Sequence, residues 1–298
     1  MSEAVNLIEF QEKFATEQVC IDYLENARWN GEPVCPHCGC FGAYKFSDGK
    51  RLKCKACRKQ FTVRVGTIFE DSHLPLKKWF LAIYLLTSLK KGLSSIQLSK
   101  YLGITQKSAW FVLHRIRYAV NTDAFKAPLK NIVEGDETYY GGKGKHNKRG
   151  RGAENKTPIF GLVERQGKVI CRAVENVKTK TVMPLIHKYV EAGSSMMTDE
   201  YGIYNTLEKN GYKHETVNHG HKEYVRGDAH TNTIEGYWSH LKKGLDAIYI
   251  HVSKKHVQKY CDEYAYRYNS REVYDFQRFG NWFESCEKRL TYNTLIAK

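Results

Sequence analysis

Two CxxC knuckles constrain this chain more tightly than anything else in it. They are CPHC, with Cys35 and Cys38, and CKAC, with Cys54 and Cys57, in the spacing C-x2-C-x15-C-x2-C. Each knuckle sets two thiols on one tight turn, so the pair delivers four thiolates to a single tetrahedral site that suits one structural Zn2+. The intervening FGAYKFSDGKRLKC carries an Asp-Gly turn and reads as a hairpin. The expectation is a zinc ribbon over residues 29–66, a piece too small to fold on its own apolar core. His37 and Cys40 lie close by, but the paired geometry makes them bystanders. The remaining cysteines, Cys20, Cys171, Cys261 and Cys286, read as small buried apolar residues.

Composition limits what surrounds the ribbon. At 298 residues, 42% hydrophobic and 13% aromatic, the chain has the material for about two folded domains and is no disordered polyelectrolyte. Its formal charge of +15 is spread along the length, which points to a polyanionic partner. The opening MSEAVNLIEFQEKF lacks a basic stretch followed by an apolar core, and no run approaches the roughly 18 apolar residues of a membrane span. The expected location is therefore cytoplasmic and nucleoid-associated, with no membrane partner and with metal-bound or buried thiols rather than disulfides.

Helical spacing in residues 1–28 (Phe10, Phe14, Val19, Tyr23, Leu24) predicts one or two short helices. Residues 67–125 read as a helical DNA-binding region. Leu76 to Leu89 forms an apolar core helix, and GLSSIQLSKYLGITQKSAWFVLHRIRYAV follows helix-turn-helix grammar, with Ser94 or Ser95 and Thr105 as caps and Leu102-Gly103 as the turn. The second helix is expected to present Gln106, Lys107, Ser108 and Arg115 outward, where they suit a DNA major groove, and to pack Trp110, Val112, Leu113 and Ile116 inward. Residues 130–298 read as one catalytic domain of alternating strands (131–140, 158–165, 168–176, 195–199, 213–218), with a helix at 180–193 and further helices after Thr231. GGKGKHNKRGRGAENK (141–156) reads as a basic loop whose Lys143, Lys145, Lys148, Arg149 and Arg151 suit a phosphate backbone. The fold class is thus an α+β multi-domain chain.

Asp136 and Asp199 each close an apolar-flanked strand. Carboxylates at the ends of neighbouring strands give a hard divalent cation a rigid oxygen base. Their neighbours Glu137 and Glu200 compete, because a one-residue change of register exchanges the faces. A third carboxylate is expected on a helix, and Glu235, Asn232 and Asp228 are all candidates there. Such a set can hold two Mg2+ or Mn2+ ions for in-line displacement at phosphorus. Trp238 and Tyr237 are expected to pack against the sheet rather than stack on a base. A second zinc among His219, His221 and His230 is not expected.

CPHC…CKAC, EGDETYYGGK, TDEYGIY, the VNH loop and HTNTIEGYWSHLKKGL together resemble the zinc-ribbon insertion-sequence transposases related to the eukaryotic Merlin elements, over nearly the whole chain. The resemblance implies an RNase H-like fold with Asp136, Asp199 and Glu235 as a DDE metal-binding triad, leaving Asn232 in reserve. It also implies a basic residue seven positions after the glutamate, here Lys242, with Lys243 beside it, placed for DNA phosphate. It further implies a DNA transposase acting on double-stranded DNA, both terminal inverted repeats and target, as a homodimer or higher oligomer. Two other classes compatible with the sequence are a domesticated DNA-binding regulator and a purely hydrolytic nuclease.

Overall fold

The computed structural model describes residues 5–121, 127–141, 156–217 and 230–297. It divides into two compact units, Met1–Val120 with Glu272–Lys298, and Asn121–Arg271.

In the first unit, α1 (Leu7–Lys13) and α2 (Glu17–Trp29) start at side-chain caps, Asn6 and Thr16, that accept backbone N–H bonds. The hairpin β1 (Ala43–Lys45) and β2 (Arg51–Cys54) pairs antiparallel, and β3 (Gln60–Thr62) adds to β2. Asp48 closes the hairpin turn by accepting from the N–H groups of Lys50 and Arg51, both at 3.0 Å. Helix α3 (Leu76–Ser88) is the apolar helix expected from its pattern. Its first turn has Pro75 at the cap position and no capping side chain of its own. Glu17 of α2 substitutes, accepting from Leu76 N at 2.9 Å and Lys77 N at 3.2 Å, while Arg64 Nη2 holds the same carboxylate at 2.7 Å.

Helices α4 (Ser95–Leu102) and α5 (Gln106–Ala119) are joined by left-handed Gly103, with Ser94 and Thr105 accepting the N-cap bonds as expected. Val112, Leu113 and Ile116 are buried and Trp110 is half-buried. Gln106 and Lys107 are exposed. Arg115 is a correction: only 4% exposed, it points inward, where Nε donates to Leu290 O at 2.9 Å and Nη1 to Ile68 O at 2.7 Å. Its guanidinium also stacks 4.6 Å from the Phe111 ring centroid. Two carbonyls on separate segments, Ile68 O and Leu290 O, reward a planar fork more than solvent does.

The domain boundary expected at residue 130 is corrected at its far end. From Glu272 onward the chain, including α9 (Asp275–Trp282) and α10 (Tyr292–Ile296), belongs to the first unit rather than to the sheet. The cause is aromatic burial: Phe279 lies 5.0 Å from Phe10 and 5.6 Å from Phe80, and Phe283 lies 4.9 Å from Phe80, all with rings tilted or edge-on.

In the second unit, five strands among the described residues form one sheet: β4 (Ile132–Tyr140), β5 (Thr157–Glu164), β6 (Val169–Ala173), β7 (Ser195–Asp199) and β8 (Lys213–Val217), in the order β6-β5-β4-β7-β8. The pairings β6/β5 and β5/β4 are antiparallel; β4/β7 and β7/β8 are parallel. Helix α6 (Thr179–Tyr189) covers one face with Val182, Met183 and Ile186. Helices α7 (Asn232–Ala247) and α8 (Val257–Asn269) cover the other with Ile234, Trp238, Leu241, Val257 and Cys261. The free edge of β6 is occupied by side chains of α8. Gln258 Oε1 accepts from Ala173 N at 2.7 Å and its amide donates to Cys171 O at 3.1 Å; Asn269 does the same for Val169 N and O at 2.7 and 3.0 Å. An edge satisfied in this way offers no template for another strand. No helix among the described residues is long and apolar enough to cross a membrane.

Arg115→Ala is expected to lower the unfolding free energy of the first unit by roughly 2–4 kcal/mol, because it orphans two carbonyls and removes a packed stem. A lower urea midpoint, with Arg115→Lys rescuing little, is the measurement.

Candidate active site and metal centre

The knuckle thiols converge. Cys35 Sγ lies 3.7 Å from Cys57 Sγ, Cys38 Sγ lies 3.7 Å from Cys54 Sγ, and all four sulfurs fall within 4.8 Å of one another. A tetrahedral Zn2+ with Zn–S of about 2.3 Å requires sulfurs about 3.8 Å apart, so the donor set fits zinc in both chemistry and spacing. The backbone N–H of Cys57, donating to Cys54 Sγ at 3.4 Å, holds the Cys54 thiol down to about 6, the thiolate state a metal needs. His37 turns away to Gln60 O at 3.2 Å, and Cys40 stands outside the cluster.

The carboxylates gather on the second unit's sheet. Along β4 the faces alternate. Val133 joins the core beneath α6, and Glu137 accepts from the buried Tyr204 hydroxyl at 3.1 Å on that side. Glu134 and Asp136 face α7. The parallel register pairs Glu134 with Met197, so Asp136 and Asp199, each two residues further along, stand level on adjacent strands. Met197 packs with Ile132, two residues before Glu134, so Asp199 shares Asp136's face. Of the neighbours, Glu137 is engaged on the far face, and Glu200 lies beyond the strand end, exposed. Asp199 Oδ1 accepts from Tyr201 N at 3.0 Å, closing the turn after β7.

Trp238 Nε1 donates to Asp136 Oδ2 at 2.9 Å, and the indole is 4% exposed, so it packs on the sheet. The close approach depends on Gly161, which pairs with Asp136 across β4 and β5. A Cβ there would lie 2.5 Å from Trp238 Cη2. Burial first, then the charge of Glu137 and, further down, that of Asp199, pushes the Asp136 carboxyl up to about 7 against the donors that favour its charged form. A divalent cation would relieve that accumulation of negative charge, which is the fit these residues offer to a metal.

Glu235 lies on α7 one turn before Trp238, exposed, accepting from Thr231 Oγ1 at 3.0 Å. Asn232 is exposed at the first position of that helix. Among the described residues only the four cysteines close to within 4.8 Å; the Asp136, Asp199 and Glu235 oxygens are more widely spread. Lys242 and Lys243 are exposed on α7. Lys143, Lys145, Lys148, Arg149 and Arg151, like Asp228, His219 and His221, lie outside the described residues.

Residues 128–269 match the ISXO2-like transposase domain, and residues 15–60 match the transposase zinc-ribbon domain. A protein of the transposable element ISH50 from Halobacterium salinarum is 30% identical over 282 residues, covering 88% of this chain and 92% of that protein. The chain belongs to the ISXO2-like transposase family. A transposase-like protein of Haemophilus influenzae is 28% identical over 106 residues, 36% of this chain and 85% of that one. The crystal structure of the Mos1 strand transfer complex aligns at 14% identity over 74% of this chain and 82% of that chain, with a TM-score of 0.23, a likeness too low to carry weight.

Two further residues of this transposase-family chain shape the surroundings of Asp136, and neither stands out in the sequence. Glu134 is fully buried, yet its carboxylate accepts from Arg165 Nε at 2.8 Å, Thr233 Oγ1 at 2.9 Å, Thr233 N at 2.9 Å and Ile234 N at 3.0 Å. The only signal in the sequence was its i, i+2 spacing from Asp136, which places both on one face. Gly161 gave no signal at all, since its need is set by a ring 77 residues later.

Two outcomes follow. Zinc chelation or Cys54→Ser should unfold the ribbon and release one metal per chain, seen as loss of bound zinc while the second unit keeps its own unfolding transition. Gly161→Ala should cost roughly 1–3 kcal/mol through overpacking and displace Trp238, read as a shifted and quenched Trp emission.

Proposed function

We propose that the protein is a DDE-type DNA transposase that binds the ends of an insertion sequence and catalyses Mg2+- or Mn2+-dependent strand cleavage and strand transfer on an RNase H-like domain. The observation that carries the reading is the level placement of Asp136 and Asp199 on adjacent parallel strands, beside the helix that bears Glu235. Family membership supports it independently.

Asp136, Asp199 and Glu235 would hold two divalent ions, which when bound activate the entering oxygen and offset charge at the leaving one. The chain's own residues prepare that site. Trp238 holds one oxygen of Asp136 and shields the site floor, and the turn amide of Tyr201 orients Asp199. Tyr204 keeps Glu137 engaged on the opposite face, so that it does not compete for the ions. Lys242, two turns after Glu235 on the same helix face, and Lys243 are suited to a DNA phosphate. Lys143, Lys145, Lys148, Arg149 and Arg151 are assigned to the same backbone contact.

End recognition falls to α4 and α5, with Gln106 and Lys107 exposed at the start of the second helix, together with the ribbon's exposed Lys50, Lys55, Arg58 and Lys59. Lys107 has its Nζ 5.0 Å from the Tyr292 ring centroid, and Gln106 donates to Ser95 Oγ at 2.8 Å, so both begin from defined positions. Juxtaposing two ends calls for a homodimer or larger assembly on the DNA.

The test uses labelled duplexes bearing the element's ends with Mg2+. Wild-type protein is expected to cleave and join them, and Asp136→Ala, Asp199→Ala and Glu235→Ala each to lose roughly a thousandfold or more in rate while still binding DNA. Binding with no metal-dependent cleavage would favour a regulator, and cleavage without joining a hydrolytic nuclease. Cleavage retained in Glu235→Ala would move the third ligand to Asn232.

A further inference from the structure

We infer that Glu134 is a positioning residue for the third carboxylate, a buried clamp that fastens the first turn of α7 to the strand carrying Asp136. The inference rests on the reading of Asp136, Asp199 and Glu235 as the metal-binding set and adds a residue to it.

The first N–H groups of any helix lack partners within the helix. In α7 the residue at the cap position, Thr231, makes no capping bond; its hydroxyl donates to Glu235 instead. Glu134 supplies the cap from another element. Its Oε2 takes the N–H groups of both Thr233 and Ile234, and its Oε1 takes the Thr233 hydroxyl and Arg165 Nε. His230 Nδ1 stands 3.2 Å from Oε1. With four donors on two oxygens, Glu134 has little capacity left for a metal ion, although it shares Asp136's face of β4, two residues before it.

The geometry ties this cap to the reacting carboxylates. Ile234, whose N–H is held, immediately precedes Glu235, and Trp238, one turn later, returns to Asp136. The turn that carries Glu235 is thus fastened at both of its ends to β4, at points two residues apart, about 7 Å along the strand. Arg165, from the turn joining β5 and β6, braces the clamp twice, through Glu134 and by donating from Nη2 to His230 O at 3.0 Å, just before the helix begins. An exposed glutamate on an unfastened helix end would sweep a wide volume. On a fastened one its Cα is held at a set place relative to Asp136, which is what a site for paired ions requires.

Glu134→Gln keeps the volume but replaces one acceptor oxygen by an N–H2 group facing donors. The first measurement needs no metal: amide hydrogen exchange of the ion-free protein. Exchange in a peptide spanning 231–240 is expected to be about tenfold faster in the variant, with peptides from β5 and α6 unchanged. The second is Mn2+ binding followed by electron paramagnetic resonance, where affinity is expected to fall about 10–100-fold with the number of bound ions preserved. If Glu134→Gln does not fold, Thr233→Ala and Arg165→Met each remove one strut, and smaller changes in the same two readouts are expected.

Unchanged exchange in 231–240 together with Mn2+ affinity within about twofold of wild type would overturn the clamp. Loss of one bound ion with unaltered exchange would also overturn it, marking Glu134 as a ligand instead. Failure of the underlying reading looks different: Asp136→Ala would then bind Mn2+ as wild type does, while the exchange result would still report on the clamp.

Discussion

Strand β4 is covered on both faces yet carries three acidic residues within four positions, and the cost of burying those charges organises everything around it. An unpaired carboxylate in such a place is expensive enough to forgo ionisation or unfold its surroundings. The fold answers each differently. Glu134 receives a helix N-terminus and an arginine. Glu137 receives the Tyr204 hydroxyl. Asp136 receives an indole N–H and the backbone N–H of Glu137, but burial and the charges of Glu137 and Asp199 outweigh them, so its carboxyl is pushed up to about 7.

The same device appears in the other unit. Glu17 caps α3 from a neighbouring helix and is held by Arg64, as Glu134 caps α7 from a strand and is held by Arg165. In both places a carboxylate distant in sequence settles where a helix begins, and an arginine fixes the carboxylate. A helix anchored this way takes its position from tertiary contacts rather than from its own first residues. The ribbon is the opposite case. Its three short strands enclose little apolar surface, and four sulfurs around one point replace the core it cannot build.

Much of this was legible from the residues alone. The knuckle spacing defines the sulfur cluster because ligand separation along a tight turn is a local property. Ser94, Thr105 and Gly103 mark α4 and α5 because capping and left-handed turns are local as well. Asp136 and Asp199 stood out because apolar runs precede both. Arg115 departs from expectation for the complementary reason: charge and helical spacing suggest an outward side chain, and the carbonyls of Ile68 and Leu290, remote in sequence, draw it inward. The segment after Glu272 was placed with the sheet because it follows the sheet in the chain, whereas Phe279 and Phe283 find their partners in Phe10 and Phe80.

What the sequence by itself determined is therefore what depends on near neighbours: the zinc ligands, the caps and turns, the strand ends and the alternation of faces. Only the tertiary structure decided that Glu134 and Asp136 share the face of β4 that α7 covers, that Asp199 stands level with Asp136, and that Glu134 accepts from the first turn of α7. The physical reason is that strand register and helix anchoring are set by hydrogen bonds between residues about 60 to 100 positions apart. No local periodicity encodes a partner at that distance.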